Sequence, residues 1–375
     1  MKKKNLIIFG TRPEAIKMAP LVKKFLQYPN KFETKVCITA QHREMLDQVL
    51  DFFKIKVDYD LDLMRADQNL YVLTSDIVTN LKPVLEDFEP DFVYVHGDTT
   101  TTMAASIAGF YSGAKVCHVE AGLRTFNKRS PFPEEVNRNI ASCVSDYHFA
   151  PTKTSRDNLL NENIKESNVL VTGNTVIDAL KYSIDIVNSD KFLDQEIELL
   201  KKTINVGKRL VLVTGHRREN HGQGFINICS ALKEIAQTNK DIQIIYPVHL
   251  NPRVQEPVYN LLGSVENIHL IKPLSYPAFV WLMNKSYLIL TDSGGVQEEA
   301  PSLGKPVLVM RDTTERPEAL QVGTVLLVGT DKSKIIKETN RLLNSKSNYD
   351  TMSKLHNPYG DGKASERIVD YILNI

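Results

Sequence analysis

The chain has 375 residues, of which 42% are hydrophobic and 24% charged, and its formal net charge is only +1. A chain of this length exceeds what a single hydrophobic core usually serves, so two domains are expected. Nucleic-acid and membrane-surface binders usually carry an excess of positive charge or a basic block, and this sequence has neither. The composition therefore favours a small molecule as the partner.

Neither a signal peptide nor a membrane span is predicted. The apolar run that follows the lysines at the start covers only residues 6–9, which is shorter than the roughly 7–15 residues of a signal-peptide core. No stretch approaches the ~20 apolar residues of a membrane helix. None of the four cysteines has a CxxC spacing, and we interpret all of them as buried thiols in a cytoplasmic protein: Cys37, Cys117, Cys143 and Cys229.

Short apolar runs alternate with longer amphipathic stretches in the first half of the chain. The predicted strands are apolar on both faces, as strands between two helix layers must be: Asn5–Phe9, Thr34–Thr39, Asp91–His96, Lys115–Val119 and Tyr147–Ala150. The predicted helices are Ala15–Leu26, Arg43–Phe53, Asn69–Phe88 and Val136–Val144. This alternation predicts an α/β fold with a parallel, doubly wound sheet.

The same alternation restarts in the second half of the chain. Strands are predicted at Arg209–Thr214, Gln243–Tyr246, Ile268–Ile271, Leu288–Thr291, Val307–Met310 and Thr324–Leu327. The charged segment 174–208 is predicted to be a helical connector. We therefore expect an N-terminal α/β domain at 1–173 and a second one at 174–360, with a C-terminal helix at 361–375 that packs back on the first domain.

Residues capable of chemistry follow several of the predicted strands, where ligands of open α/β sheets bind. These groups are Gly10-Thr11-Arg12, His96-Gly97-Asp98, His118-Val119-Glu120, Thr214–Arg218 and Asp292–Gly295. The pair Gly294-Gly295 is either a tight turn or a phosphate site at a helix N-terminus, and its place after a strand, with Arg316 nearby, favours phosphate. No Walker loop or dinucleotide fingerprint is present, so neither ATP nor NAD is expected.

Arg12 and Lys17 are either phosphate ligands or members of surface ion pairs, and their place after the first strand favours the ligand. Asp98, Glu120 and Glu134 are candidates for acid–base chemistry, although single loop carboxylates are usually helix caps or solvated charges. His96 and Asp98 are two positions apart, as are His118 and Glu120, so the two side chains of each pair share one face of a strand. These four side chains could also bind a metal. A histidine at a strand end more often bonds a nearby backbone group, so no metal is expected.

Several strings together resemble the non-hydrolysing UDP-N-acetylglucosamine 2-epimerases over nearly the whole chain: residues 10–14, 96–100, 118–125, 133–138, 215–220, 292–301 and 311–318. The resemblance implies two Rossmann-like domains facing across a cleft, as in glycosyltransferase-B-like folds, and usually a homodimer. It implies interconversion of UDP-N-acetylglucosamine and UDP-N-acetylmannosamine without a cofactor. Hydrolysing relatives carry a Gly-Thr-Arg-Ala-Asp opening, from which Pro13-Glu14 departs.

The resemblance also assigns roles by matched position. Nucleotide contacts fall on Arg12, Lys17, His216, Phe279, Ser293, Gly294, Gly295, Glu299 and Arg316, with Glu299 on the ribose and Phe279 near uracil. Catalysis falls on Lys17, Asp98, Glu120, Glu134 and His216. A second, activating UDP-N-acetylglucosamine would contact Gln41, His42, Glu134, Arg217 and His249. Glu44 and Asp67 replace a glutamine and an arginine there, which weakens attraction for a diphosphate.

The chemistry of the sugar favours one mechanism for such an enzyme. C2 is not adjacent to a carbonyl group, and no nicotinamide site is visible, so elimination of UDP to 2-acetamidoglucal and re-addition is the expected route. Other readings are an epimerase of a related UDP-diacetamido sugar, a UDP-sugar glycosyltransferase, a metallohydrolase and a non-catalytic sugar-nucleotide sensor.

Overall fold

The computed structural model describes residues 2–40, 43–63, 65 and 68–375. The chain divides into two compact units. Unit 1 comprises Met1–Ala179 with Tyr359–Ile375, and unit 2 comprises Leu180–Pro358. The first division lies inside the predicted connector, because residues just before it bond to the C-terminal segment. Asn174 donates its backbone N–H to Tyr359 O (2.7 Å), and the Asp178 carboxylate accepts the N–H groups of Ala364 and Ser365.

Unit 1 contains a seven-stranded sheet. Its strands are β1 (Lys3–Phe9), β2 (Phe32–Ile38), β3 (Tyr59–Asp60), β4 (Phe92–His96), β5 (Lys115–Val119), β6 (Tyr147–Ala150) and β7 (Val169–Val171). Its helices are α1 (Arg12–Leu26), α2 (Arg43–Phe53), α3 (Leu70–Phe88), α4 (Thr100–Ser112), α5 (Glu134–Val144), α6 (Lys153–Asn161) and the start of α7 (Thr175–Val187). The strand order is β3-β2-β1-β4-β5-β6-β7, and every pairing is parallel.

Unit 2 contains a six-stranded sheet. Its strands are β8 (Arg209–Thr214), β9 (Ile242–Pro247), β10 (Ile268–Ile271), β11 (Leu288–Thr291), β12 (Val307–Val309) and β13 (Val325–Leu327). Its helices are α8 (Gln195–Thr203), α9 (Gln223–Thr238), α10 (Pro252–Leu262), α11 (Tyr276–Lys285), α12 (Gly294–Glu299), α13 (Pro317–Val322), α14 (Lys332–Asn344) and α15 (Lys346–Ser353). The order is β10-β9-β8-β11-β12-β13, again entirely parallel. The predicted α/β class is confirmed.

The last helix, α16 (Ala364–Leu373), belongs to unit 1. Lys3 Nζ donates to Ile372 O (2.8 Å), and Arg367 Nη1 donates to Thr172 O (2.8 Å). One face of this helix is buried, including Ile368, Val369 and Ile372. The apolar face and these bonds together hold the chain end against the first sheet.

The sequential order of the strands reverses at one place in each sheet, although all strands run parallel. In unit 1 the order turns between β1 and β4, and in unit 2 it turns between β8 and β11. Such a switch point leaves a crevice beyond the carboxyl ends of the two strands, because the following helices pack on opposite faces. Loops that follow these four strands are therefore the places to look for bound ligands.

Three cysteines match the predicted buried thiols and one does not. Cys37, Cys117 and Cys229 are buried in the two cores, whereas Cys143 is exposed, and all four are free thiols. Cys143 lies near the end of α5, whose buried face is formed by Glu135, Asn137, Arg138, Ala141 and Ser142, so the prediction was wrong for this residue. Within the described ranges, none of the helices combines the length and the apolar character needed to cross a lipid bilayer.

Candidate active site

The switch point of unit 1 is organised around a buried carboxylate, Glu14. Thr11 and Glu14 form a capping box at the start of α1, as expected where a Thr precedes a Glu by three positions. Glu14 accepts the N–H groups of Gly10 (3.1 Å) and Thr11 (2.8 Å) and the hydroxyl of Thr99 (2.6 Å). Burial raises the pKa of Glu14. This carboxylate joins the loop that carries Arg12 to the loop that carries Asp98.

Glu120 follows β5 and lies among donors from three other segments. Lys17 Nζ lies 2.5 Å from Glu120 Oε2, and Asn174 Nδ2 donates to the same oxygen at 2.7 Å. His96 Nε2 lies 3.7 Å from this oxygen. Glu120 has a positive φ of 61°, an unusual conformation for a non-glycine residue that is often found at functional sites.

Asp98 follows β4 and is paired with an arginine of α5. Arg138 Nη2 lies 2.5 Å from Asp98 Oδ2, and Asn137 Nδ2 donates to the Asp98 carbonyl (3.0 Å). Burial raises the pKa of Asp98, and the cation of Arg138 partly opposes that rise. Glu120 and Lys17 act on the same pKa in opposite directions. Two carboxylates on neighbouring strands are thus held by different partners.

Glu134 is the first residue of α5, and its Oε2 atom is buried with no hydrogen-bond partner among the described residues. Together with Asp98 it lines a cavity of about 520 Å³ whose walls also include Thr99, Pro133 and Asn137. A buried carboxylate oxygen without a partner is costly, so a hydrogen-bond donor of a bound ligand would be favoured at this position.

Two histidines of unit 1 are buried, His96 at the end of β4 and His118 one residue before the end of β5. Burial lowers the pKa of His96 to about 4 and that of His118 to about 3. His118 Nε2 lies 2.7 Å from the carbonyl of Gly97, which can only accept, so this nitrogen carries the proton. The expectation that such a histidine bonds a nearby backbone group is therefore confirmed for His118. Among the described residues, no three His, Cys, Asp or Glu side chains are grouped so as to hold a metal ion.

The switch point of unit 2 is organised around Asp292, which follows β11 and is fully buried. Its Oδ2 atom accepts the backbone N–H groups of His216 (2.9 Å) and Arg217 (2.8 Å) and also lies 3.3 Å from Asn220 Nδ2. The loop after β8 is thereby fixed to the loop after β11. The His216 ring stacks on that of His249, with centroids 5.3 Å apart and planes 15° from parallel.

Two arginines approach the glycine pair at the start of α12. A Cβ atom added to Gly294 would lie 3.6 Å from Arg316 Nη2 and 3.9 Å from Arg217 Nη2. The buried carboxylate of Glu298 lies 2.5 Å from Arg316 Nε and so orients this guanidinium. Two guanidinium groups beside the first turn of a helix favour binding of an anion there.

The other predicted residues of unit 2 lie on helices that follow the carboxyl ends of its strands. Phe279 is in the first turn of α11, which follows β10, and is partly buried. Glu299 ends α12, and its Oε1 atom would lie 3.9 Å from a Cβ atom on Gly295. In unit 1, Arg12 is the first residue of α1 and is partly buried. Gln41, His42 and Asp67 lie outside the described residues, as does the side chain of Glu44.

Sequence reasoning gave no role to several side chains that organise these sites: Glu14, Arg138, Asn174, Asp292 and Glu298. Four of the five lie inside the strings 10–14, 133–138 and 292–301 described above, and only Asn174 does not. Apart from the local capping box of Glu14, the partners named here are distant in sequence, so those pairings could not be predicted. Their closeness to predicted strand ends and glycine pairs was the available signal.

Each unit thus resembles a Rossmann-like α/β domain. Unit 1 presents carboxylates in contrasting environments, and unit 2 presents cations beside a glycine pair. These features are typical of an α/β enzyme.

Comparisons with known proteins identify the family. A family model described as UDP-N-acetylglucosamine 2-epimerase matches residues 24–373. The UDP-N-acetylglucosamine 2-epimerase of Escherichia coli (strain K12) is 59% identical over 371 residues, which cover 99% of this chain and 98% of that protein. The enzyme of the same name from Salmonella typhimurium (strain LT2) is 59% identical over 366 residues, or 98% of this chain and 97% of that one.

A crystal structure of the Neisseria meningitidis UDP-GlcNAc 2-epimerase, bound to UDP-GlcNAc, matches with a TM-score of 0.89 at 53% identity and covers 99% of this chain and 100% of that chain. The chain belongs to the UDP-N-acetylglucosamine 2-epimerase family. The predicted glycosyltransferase-B-like fold class is confirmed by these structural relatives.

Proposed function

We propose that the protein interconverts UDP-N-acetylglucosamine and UDP-N-acetylmannosamine by inverting C2, without net hydrolysis. Its product would supply N-acetylmannosamine-type sugars for cell-surface polysaccharide. The observation that carries this proposal is the contrast between Asp98 and Glu120, which end neighbouring strands of unit 1 but have different partners. Two acid–base groups in different environments are what inversion of a carbon centre requires.

The reaction proceeds by elimination and re-addition of UDP. A base removes the proton from C2, the C1–O bond breaks, and its electron pair leaves with the diphosphate. The resulting 2-acetamidoglucal is protonated at C2 on the other face, and UDP adds again to C1. This route needs no redox cofactor, because elimination and re-addition transfer only a proton and UDP and no step transfers a hydride.

Unit 1 supplies the acid–base groups in this proposal. Asp98, Glu120 and Glu134 are the candidates, and Asp98 is the first choice because it lines the cavity beside Glu134 while Arg138 favours its ionised form. Glu120 is already paired with Lys17, so proton transfer there would be coupled to that cation. Lys17 and Arg12 add positive charge for the departing diphosphate.

Unit 2 supplies the nucleotide contacts. The diphosphate would bind the backbone of Ser293, Gly294 and Gly295, with Arg316 beside it, because two guanidinium groups approach this turn. His216 would stabilise the developing charge on the leaving group. Glu299 would hold the ribose hydroxyl groups, and the ring of Phe279 would lie near uracil.

Proton NMR of the purified protein mixed with UDP-N-acetylglucosamine alone tests the reaction. We expect resonances of UDP-N-acetylmannosamine to grow to a constant ratio, with deuterium at C2 of both epimers when the solvent is deuterated water. Unlabelled epimer would exclude the elimination route. Turnover only with a UDP-diacetamido sugar, or only after addition of an acceptor, would instead support a related epimerase or a glycosyltransferase.

We also propose that a second UDP-N-acetylglucosamine molecule binds as a weak activator. It would contact Gln41, His42, Glu134, Arg217 and His249. The anions Glu44 and Asp67 oppose binding of its diphosphate. The initial rate of UDP-N-acetylmannosamine conversion, measured with and without a small amount of UDP-N-acetylglucosamine, tests this activation.

We also propose that the protein is a cytoplasmic homodimer. Unit 1 exposes large apolar side chains on α3 and α4, namely Tyr71 (89% exposed), Phe110 (57%) and Tyr111 (74%), and such exposure favours self-association. Light scattering after gel filtration tests the dimer, and cell fractionation tests the location. A monomer at micromolar concentration would contradict the proposed homodimer.

A further inference from the structure

Asp292 uses only one of its two carboxylate oxygens to hold the loop that follows β8. Oδ2 accepts backbone N–H groups from His216 and Arg217, as described above. Oδ1 is also buried, yet it has no hydrogen-bond partner among the described residues. Leaving an oxygen of a buried carboxylate unpaired is costly, so a nearby donor is expected to serve it.

The ring of His216 offers that donor. Its Nδ1 atom lies 3.5 Å from Asp292 Oδ1, slightly longer than an ordinary hydrogen bond. Hydrogen bonds between catalytic groups are often long in the absence of substrate and shorten when it binds. The backbone N–H of His216 is already fixed on the same carboxylate, so a small rotation of the side chain would close the remaining gap.

The surroundings restrict how the ring can lie. His249 stacks on one face of it, and His249 Nδ1 accepts the N–H of Asn251 (3.1 Å), which holds the stacking ring in place. Burial lowers the pKa of His216, Asp292 raises it, and His249 and Arg217 lower it. Asp292 is therefore the one group among these that favours the charged imidazolium.

We propose that Asp292 is a positioning residue that keeps a proton on Nδ1 of His216 and leaves Nε2 to face the substrate diphosphate. This inference rests on the proposed function for the identity of the anion. With Nδ1–H directed at the buried carboxylate, Nε2 lies on the far side of the ring. When the anionic diphosphate binds, Nε2 takes up a proton from solvent, and the charged ring donates this Nε2–H to the diphosphate oxygen on which negative charge develops as the C1–O bond breaks.

If Asp292 were purely structural, it would make the same bonds through Oδ2 but would not affect the ring of His216. The Asp292→Asn variant distinguishes this structural role from the positioning role. The amide oxygen of asparagine can accept the backbone N–H groups of His216 and Arg217 as Oδ2 does. The amide nitrogen would then replace Oδ1 and could only donate, so Nδ1 of His216 would have to accept. The proton of neutral His216 would move to Nε2.

The test is nitrogen NMR of the ¹⁵N-histidine-labelled full chain, with the His216 signals identified by their loss in His216→Gln. In the wild-type protein above the His216 pKa, we expect the Nδ1–H tautomer. In Asp292→Asn we expect the Nε2–H tautomer, a lower pKa of His216, and kcat reduced by about 10- to 100-fold, a typical effect of losing a group that orients a ligand or catalyst. The KM for UDP-N-acetylglucosamine should change much less.

Asp178→Asn is the matched control, because Asp178 is also a buried carboxylate that accepts two backbone N–H groups, from Ala364 and Ser365. It should leave the tautomer of His216 unchanged and kcat within about threefold of wild type, since no histidine bonds it. An Nε2–H tautomer in the wild-type protein would overturn the proposal, even if Asp292→Asn fails to fold. So would an Asp292→Asn protein with unchanged tautomer and kcat. The tautomer is read without turnover, so failure of the epimerase proposal would be recognised separately by NMR of the sugar nucleotide.

Discussion

Arg138 Nη2 lies 2.5 Å from Asp98 Oδ2, while Nη1 of the same guanidinium lies 3.2 Å from Glu135 Oε2. Glu135 in turn accepts the backbone N–H groups of Thr125 (3.0 Å) and Phe126 (2.8 Å). The position of Asp98 is therefore tied, through one arginine, to the loop that follows β5. Both the charge and the orientation of the proposed base depend on this arginine.

Arg138→Gln should reduce kcat by about 10²- to 10⁴-fold at neutral pH, the range usually supplied by general acid–base catalysis. Burial and Glu120 raise the pKa of Asp98, whereas Arg138 and Lys17 lower it. Loss of the Arg138 cation should therefore raise this pKa further. If Asp98 acts as the base, the acid limb of the kcat–pH profile should move to higher pH.

The control for this variant is Arg124→Gln, which removes another buried arginine of unit 1, paired with Glu162 at 2.6 Å. It should leave the acid limb in place, because Arg124 is not among the groups that shift the pKa of Asp98. Coincident pH profiles for Arg138→Gln and the wild type would contradict the assignment of Asp98 as the base.

Glu14 should make stability depend on pH in an unusual direction for a carboxylate. Its pKa in the folded protein is raised above the ordinary value of 4.5, because it is buried. Folding therefore favours the protonated form, and this contribution is complete below the unfolded pKa and is lost as the pH rises through the folded pKa. Glu14→Gln cannot ionise, so the stability advantage of the wild type over this variant should shrink as the pH increases.

Urea unfolding of both proteins at a series of pH values above 4 measures that advantage. Glu89→Gln serves as a control, since Glu89 is an exposed residue at the end of α3. An advantage that grows with pH would mean that the hydrogen bonds from Gly10, Thr11 and Thr99 to the Glu14 carboxylate outweigh its burial.

Much of the fold was predictable because buried parallel strands are encoded locally. The predicted bounds of β5, β6, β8, β10 and β11 coincide with those observed. The strands β3 and β7 were missed, because two and three residues are too few to show an apolar run. Position after a strand also predicted which loops carry polar chemistry, since this depends only on the direction of the sheet.

The pairings within each site were not predictable from one sequence. Asn174 bonds Glu120, which lies 54 positions away, and Asp292 bonds His216, 76 positions away. Such contacts are set by how the strands are ordered in the sheet, and local residue patterns carry no record of that order. The sequence therefore predicted which loops carry candidate site residues but not the side chains that these residues bond.

Arg316→Gln should weaken UDP binding by about 10- to 150-fold, which corresponds to loss of a hydrogen bond with a charged partner worth about 1.5–3 kcal/mol. Glu298 holds Nε of this guanidinium, so Nη2 stays beside Gly294. Calorimetric titration with UDP measures the effect. Arg341→Gln is the control, because Arg341 lies on α14 and pairs with Glu338 (2.6 Å). Equal losses of affinity in the two variants would place the diphosphate elsewhere.

Gly122→Ala and Gly113→Ala should differ strongly in stability although both glycines have a positive φ, 91° and 82°. A Cβ atom on Gly122 would lie 2.1 Å from the carbonyl oxygen of Ser155, whereas a Cβ atom on Gly113 would have no neighbour within 4 Å. Gly113→Ala should thus cost only the strain of a left-handed alanine, about 1–2 kcal/mol. Gly122→Ala adds a clash with backbone that cannot move freely, so its free energy of unfolding in urea should fall by at least a further ~2 kcal/mol. Similar losses in the two variants would show that the loop after β5 can shift away from α6 at little cost.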